Sequence, residues 1–473
     1  MTKLTFLFYT LAALCVATTT SYAQKEYKIN IEVAGLSDST AYLAYYYGKG
    51  QYYRDTTQID KNGKLVFEGK DSLIHGMYSL IVGDRRLFDF MVDNQEFSMQ
   101  TDTSFTILNM KVDGSNESQI FYEYLQFLNE RQGTAKKLNE KKKNGTATEQ
   151  KAAGEALLSL DNEVKLYIAN FHKKHSGSFT SNFIYAIEYP TVPEAPKNED
   201  GSIDSTFAFK YFKAHYFDNY DFSDERLLRT TTFHDKITYY VNKLTVPDAD
   251  SLIVSMDYLL GKTMKNPVLF KYTLTHFTSF FERSENMGMD GVFVHLGKNY
   301  FMEGLAKEWF TDKQLEKLSE RVIALDPLLI GKKAPNIVVK DTAQKNFLEL
   351  YAVEADFTVV YIWSPTCGHC KTSTPKLKTL YDKVKDKGVE VFAVGSEFEN
   401  EEWKEFIIKH ELNFLNGSDG ETMQSNFRNS YDVFSTPQTY LLDKDKNILS
   451  KKMSIESLEQ ILEYYIEEKE NEK

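Results

Sequence analysis

The chain has 473 residues, too many for one ordinary core, and at ~150 residues per domain it predicts about three domains. Its composition is that of a globular protein, 42% hydrophobic and 26% charged, and 10 prolines leave little room for long disordered linkers. A formal net charge of −12 argues against nucleic acid or an anionic membrane surface as the main partner, because phosphate binding needs a basic face.

Residues 1–23 read as a secretory signal peptide. Lys3 supplies the positive start, Leu4 to Val16 is apolar, and Ser21-Tyr22-Ala23 places small residues at −3 and −1 of a cleavage site before Gln24. The apolar run is short for a membrane anchor, and Leu14 is a poor residue for lipoprotein cleavage at Cys15. No later run reaches about 18 apolar residues, so the expectation is a soluble, exported chain, periplasmic or envelope-associated.

Residues 24–112 read as a β-rich domain of the sandwich or small-barrel kind. Tyr27 to Val33 and Ala41 to Tyr47 alternate, and Lys64 to Glu68 follows an Asn62-Gly63 turn. Met77 to Val82, Leu87 to Val92 and Phe97 to Gln100 continue the pattern. The aromatic run Tyr42 to Tyr53 could form a ligand platform, although strand residues packing on a core or partner is the simpler reading.

Residues 113–326 switch to helical periodicity and read as an all-α middle domain. Ile120, Tyr124, Phe127 and Leu128 fall at helical spacing, as do Leu157, Leu158, Val164, Ile168 and Phe171. The basic stretch Lys136 to Gly145 links or extends helices, and Pro247 separates two further helical patterns. His295 sits among apolar residues and reads as a satisfied core histidine.

Residues 327–473 alternate strand and helix, the order of an α/β domain with a mixed sheet covered on both faces. Asn336 to Lys340 is a short strand, and Phe357 to Trp363 a continuous apolar one, as buried parallel strands are. A helix should open at the cysteines and stop at Gly388, followed by the strand Val389 to Gly395. Helices are expected over Asn400 to His410 and Glu421 to Tyr431, then a hairpin of Thr439–Leu442 with Ile448–Lys451, then a terminal helix from Ser454.

The mature chain keeps two cysteines, Cys367 and Cys370, in one Cys-x-x-Cys. Three other uses fit poorly. Zinc needs four ligands and no other cysteine remains. Haem attachment needs a histidine where Lys371 stands. A structural disulfide across two residues closes almost no loop. Redox chemistry fits: a thiol at a helix N-terminus has its thiolate stabilised, and the thiolate is the attacking species. Cys370, one turn on, can attack the mixed disulfide, and His369 adds a potential positive charge beside the pair. The catalytic candidates are therefore Cys367, Cys370 and His369, with no metal and no cofactor beyond a redox-active Cys367–Cys370 disulfide.

From Ile330 onward the chain resembles the TlpA/ResA-like branch of the thioredoxin superfamily. Trp363, Cys-Gly-His-Cys, Pro375 and Phe434-Ser435-Thr436-Pro437 stand in that family's order and spacing. The resemblance implies a cis Pro437 facing the cysteines, a Thr436 backbone offered to a substrate strand, and a kinked helix at Pro375. It implies Trp363, Pro365, Thr436 and Pro437 as the substrate-binding set. It also implies reduction of exported protein disulfides, with protein thiols or disulfides as substrates and electrons from a membrane partner. The histidine of the motif pulls the other way, toward oxidation or isomerisation.

Two positions depart from the family. Tyr361 stands where thioredoxins carry a buried acid, and Ser373 where ResA-like proteins carry a glutamate; Glu397 is an alternative proton acceptor for Cys370 or a solvated surface residue. The upstream blocks resemble regions that precede TlpA-like domains in Bacteroidetes proteins, and are expected to recruit or shield substrates or to dimerise. Two rival readings remain: an envelope ligand-binding protein with an accessory redox domain, and a thiol peroxidase, for which the Thr-x-x-Cys spacing is missing and the nearest downstream arginine is Arg428.

Overall fold

The computed structural model describes residues 26–471 except 198, 397–400 and 420–425. The expected signal segment, residues 1–23, and Glu397 lie outside the described residues. The chain forms two compact units, and the division falls within the helical stretch.

The first unit holds residues 26–189 with Phe217–Asp221 and Arg226–His234. Its strands are β1 (Tyr27–Ala34), β2 (Thr40–Tyr47), β3 (Gly50–Gln58), β4 (Lys64–Gly69), β5 (Gly76–Val82), β6 (Arg85–Val92), β7 (Glu96–Asp102) and β8 (Lys111–Asp113). Among the described residues they make two four-stranded sheets, β4-β1-β7-β8 and β3-β2-β5-β6. Pairing is antiparallel except between β1 and β7. The period of two shows directly in β1, where Tyr27, Ile29, Ile31 and Val33 are buried. Each buried aliphatic side chain contributes about 1.5–3 kcal/mol relative to exposure. Strand β3 lacks that pattern: most of Gly50–Gln58 is exposed at the sheet edge, so no apolar alternation marks it.

Two long helices follow, Asn116–Asn144 and Ala147–Lys174. The basic stretch from Lys136 extends the first of them. Only Gly145-Thr146 separates the pair, and Thr146 with Glu149 closes a capping box on the second. Phe127 stacks on Tyr167 and Tyr124 lies against Phe171, the crossing order of an antiparallel pair. Glu117 is buried at the start of the next helix, Phe179–Ile187. Its carboxylate accepts from the backbone N–H groups of Phe179 (3.0 Å) and Thr180 (2.7 Å) and from the Ser178 hydroxyl (2.7 Å). Burial alone would raise its pKa, but these bonds outweigh it and hold the carboxyl below its usual range.

The second unit holds residues 190–216, 222–225 and 235–471. Its helices include Ala249–Thr263, Pro267–Glu282, Asp290–Leu296 and Asp312–Leu325. His295 is half-buried with Nε2 2.8 Å from Asp257 Oδ1, a satisfied pair. The strands are β9 (Val338–Asp341), β10 (Phe347–Glu349), β11 (Phe357–Trp363), β12 (Val389–Gly395), β13 (Leu415–Ser418), β14 (Gln438–Leu442) and β15 (Ile448–Lys451). Among the described residues they form one mixed sheet, β10-β9-β13-β12-β11-β14-β15, with β11, β12 and β13 parallel.

All seven residues of β11 are buried because both faces of the sheet are covered. Val359, Tyr361 and Trp363 pack with Leu377, Leu380, Leu458 and Leu462 of the helices Gly368–Val384 and Ile455–Asn471. Val360 and Ile362 pack the other way, with Leu328, Phe427 and Tyr431. Gly388 ends the crossover with φ +80°, a left-handed turn that glycine makes without strain. Lys451 is 1% exposed and places its ammonium against the Asp290 carboxylate and the Leu328 carbonyl. Of the expected helix Glu421 to Tyr431, the described part is helical over Phe427–Ser430. No helix among the described residues is long and apolar enough to cross a membrane.

Candidate active site

Strand β11 ends at Trp363, and the chain turns sharply into a helix. The Thr366 amide donates to Ser364 Oγ (3.1 Å) and the Cys367 amide to the Ser364 carbonyl (3.3 Å). Pro365 is buried in this turn. The helix Gly368–Val384 then begins with Cys367 as its N-cap residue, at φ −72° and ψ 124°. A cap position ordinarily holds a side-chain oxygen that accepts from the first free N–H groups. Here a sulfur stands in that place.

The two thiols differ sharply. Cys367 is partly exposed, whereas Cys370 is fully buried in the core between helix and sheet. For Cys367, burial works against ionisation, but the Thr436 hydroxyl and the backbone N–H groups of Cys370 and His369 stabilise the thiolate more, and the net shift is downward. The Thr436 carbonyl, 3.1 Å from Cys367 Sγ, accepts from the thiol in its protonated form. Burial pushes the Cys370 thiol up to about 12. Both cysteines are free thiols.

The Thr436–Pro437 peptide is cis, β14 starts one residue later, and Thr436 lies opposite the first thiol. Thr436 and Pro437 are half-buried, His369 is exposed, and Pro375 lies inside the helix. Trp363 is 0% exposed and packs on Phe406. Of the expected substrate-binding set, Thr436 and Pro437 therefore present surface beside Cys367, while Trp363 and Pro365 are buried beneath it.

The two departures from the family pattern meet in space. Tyr361 Oη is 2.8 Å from Ser373 Oγ and 3.0 Å from Thr374 Oγ1. Ser373 and Thr374 follow Cys370 by three and four residues, the next turn on the same helix face. Burial raises Tyr361 to about 12, its two hydroxyl partners lower it, and the nearby cysteines raise it further. A neutral hydroxyl cluster thus occupies the ground below the buried thiol.

Some supporting residues had no signal in the sequence. Asp432, at φ +50°, anchors the segment leading to Thr436. Its carboxylate pairs with Arg321, 111 residues away, and its carbonyl accepts from Gln438 Nε2 at 3.1 Å. The Arg321 guanidinium also lies 5.0 Å from the centre of the Phe434 ring. Arg428 makes a two-pronged pair with the buried Asp419 (3.0 and 2.9 Å) and donates to the Ser396 carbonyl just past β12 (2.8 Å).

A mixed sheet with a helix opening on paired cysteines, and a cis-proline loop against the first of them, defines a thioredoxin-fold thiol–disulfide oxidoreductase. The family described as AhpC/TSA matches residues 330–451, and domains described as of unknown function (DUF5106 and DUF4369) match residues 131–325 and 27–121. The thiol–disulfide oxidoreductase ResA of Bacillus thuringiensis subsp. konkukian is 31% identical over 137 residues, covering 28% of this chain and 76% of that protein. This chain belongs to the ResA family of thiol–disulfide oxidoreductases. Among solved structures, a domain of a possible thiol–disulfide isomerase from Cytophaga hutchinsonii is 38% identical, with 31% of this chain and 98% of that chain covered and a TM-score of 0.29. A thioredoxin-like protein from Bacteroides caccae is 19% identical, with 58% and 99% covered and a TM-score of 0.45.

Proposed function

We propose that the protein is exported and reduces protein disulfides in the periplasm through Cys367 and Cys370. The observation that carries this reading is the asymmetry of the pair: a partly exposed thiol with a lowered pKa at a helix N-terminus, and a buried thiol pushed up to about 12. Only the first is accessible and ionised enough to attack. The Cys367 thiolate attacks one sulfur of a substrate disulfide, forming a mixed disulfide and releasing the other sulfur as a thiolate. Cys370 then loses its proton and attacks Cys367 Sγ. The Cys367–Cys370 disulfide forms, and the substrate leaves with both sulfurs reduced.

Thr436 and Pro437 shape the substrate groove, and His369, exposed one position before Cys370, adds positive charge when protonated. The cycle then needs two electrons returned to Cys367–Cys370, for which a membrane dithiol donor is the partner of matching chemistry. Export rests on the apolar segment Leu4 to Val16 and the small residues before Gln24.

The direction is tested by the reduction potential of the pair, equilibrated against thiol buffers. A value near the thioredoxin range of about −270 mV is expected for a reductase supplied from the membrane. A value of about −120 to −180 mV would make the protein an oxidant or isomerase instead.

A further inference from the structure

We propose that the β3-β2-β5 strands of the first unit, on the face that carries Tyr45 and Tyr78, hold a binding site for an oxyanion carried on a flat ring, the class of aromatic carboxylates and ring phosphates. A cavity of about 460 Å3 lies there, of the size small-molecule sites have, walled by Tyr45, Tyr47, Tyr52 and Tyr78 and flanked by Arg54 and Arg229. The tyrosines are set by strand register. Tyr45 stands opposite Tyr52 on β3 and Tyr78 on β5, with ring centres 5.7 and 6.1 Å apart. Tyr52 is 49% exposed, so its ring is available as a stacking surface.

The arginines are placed rather than loose. Arg54 donates from Nη2 to the Asp71 carbonyl (3.0 Å) and lies 5.8 Å from the Tyr27 ring centre. Arg229 arrives from a distant stretch of chain, the short helical segment Glu225–Arg229. The Gly48 amide donates to the Leu228 carbonyl (2.8 Å) and fixes that segment. Gly76 admits it: a Cβ there would fall 2.6 Å from Arg229 Cβ. The guanidinium then sits 5.3 Å from the Tyr47 ring centre.

No carboxylate lines the cavity, and among the described residues neither arginine makes a salt bridge. In a chain of net charge −12, two arginines lining one cavity whose wall holds no acid leave a charge for a ligand to neutralise. Planar guanidinium forks match carboxylate and phosphate oxygens, and the ring walls match a flat apolar body.

The test is titration calorimetry on the full mature chain with benzoate and phenyl phosphate, against benzyl alcohol as the uncharged ring and acetate as the ringless anion. Benzoate or phenyl phosphate is expected to bind at least about tenfold more tightly than either control, and whichever binds better identifies the oxyanion. Arg54→Gln and Arg229→Gln should each cost about tenfold, and Tyr52→Ala, at an exposed ring, about threefold. Rates of thiol–disulfide exchange should stay unchanged in all three. Benzyl alcohol binding as well as benzoate would overturn the proposal. So would a double arginine variant that keeps the wild-type tyrosine circular dichroism and the wild-type affinity, or no heat from either aromatic anion at millimolar concentration.

Discussion

Strand β11 is covered on both faces, whereas β3 is a mostly exposed sheet edge and β2 beside it is only half-buried at its tyrosines Tyr42, Tyr45 and Tyr47. The difference decides where chemistry can sit. A doubly covered strand has no side-chain surface to offer, so reactive groups stand at its end, where the chain turns into a helix and leaves N–H groups unpaired. A less covered strand at a sheet edge can present a row of side chains, and β2 and β3 together present tyrosines and an arginine. The first arrangement suits one reactive sulfur with tuned acidity, and the second suits recognition by area.

The comparison can be broken at either end. The largest expected effect is at the strand end: Cys367→Ser should lower disulfide reduction by at least ~1,000-fold, while Cys370→Ser should accumulate the mixed disulfide with substrate, seen as an added mass on Cys367. Next comes the buried ion pair of the same unit. Lys451→Met leaves the Asp290 carboxylate buried without its partner and should cost about 3–5 kcal/mol. All three tryptophans, Trp309, Trp363 and Trp403, lie in that unit, so indole emission during urea unfolding reads the loss there.

In the first unit, Glu117→Gln should cost about 1.5–3 kcal/mol at neutral pH, because the charged acceptor of three hydrogen bonds is lost. The carboxyl is held below its unfolded pKa, so its contribution is full above that value and disappears as pH falls through the folded one. Wild-type stability should therefore fall on acidification more steeply than that of the variant, measured by far-ultraviolet circular dichroism from pH 7 downward. A smaller effect is expected for Tyr361→Phe, which removes the partner of Ser373 and Thr374 at about 1 kcal/mol. The same variant reads whether the hydroxyl cluster assists Cys370: an unchanged pH profile of turnover would restrict it to packing.

Much of the C-terminal fold was legible because its signals are contiguous. The largely apolar run Phe357–Trp363, a Cys-x-x-Cys, a glycine stop and a Thr-Pro each announce a local structure. What was not legible depends on residues far apart in the chain. Nothing in the sequence ties Arg321 to Asp432, Lys451 to Asp290, or Arg229 to the tyrosines of β2. Strand β13, Leu415–Ser418, carries a single large apolar residue and gave no signal, although the sheet needs it between β9 and β12. The exposed edge strand β3 lacks apolar alternation, and only Tyr52 and Tyr53 of the aromatic run mark it. Tyr361 and Ser373 could each be seen to replace a carboxylate, but only the fold shows that the replacements bond to each other.

In the proposed cycle one thiol of the pair attacks and the other waits. Its most direct test is the pH dependence of alkylation of the reduced protein by iodoacetamide, read by peptide mass at each cysteine. Cys367 should alkylate with a midpoint below the ordinary thiol value of 9.0, while Cys370 should stay unmodified until pH approaches about 12. Equal midpoints, or Cys370 reacting first, would contradict it.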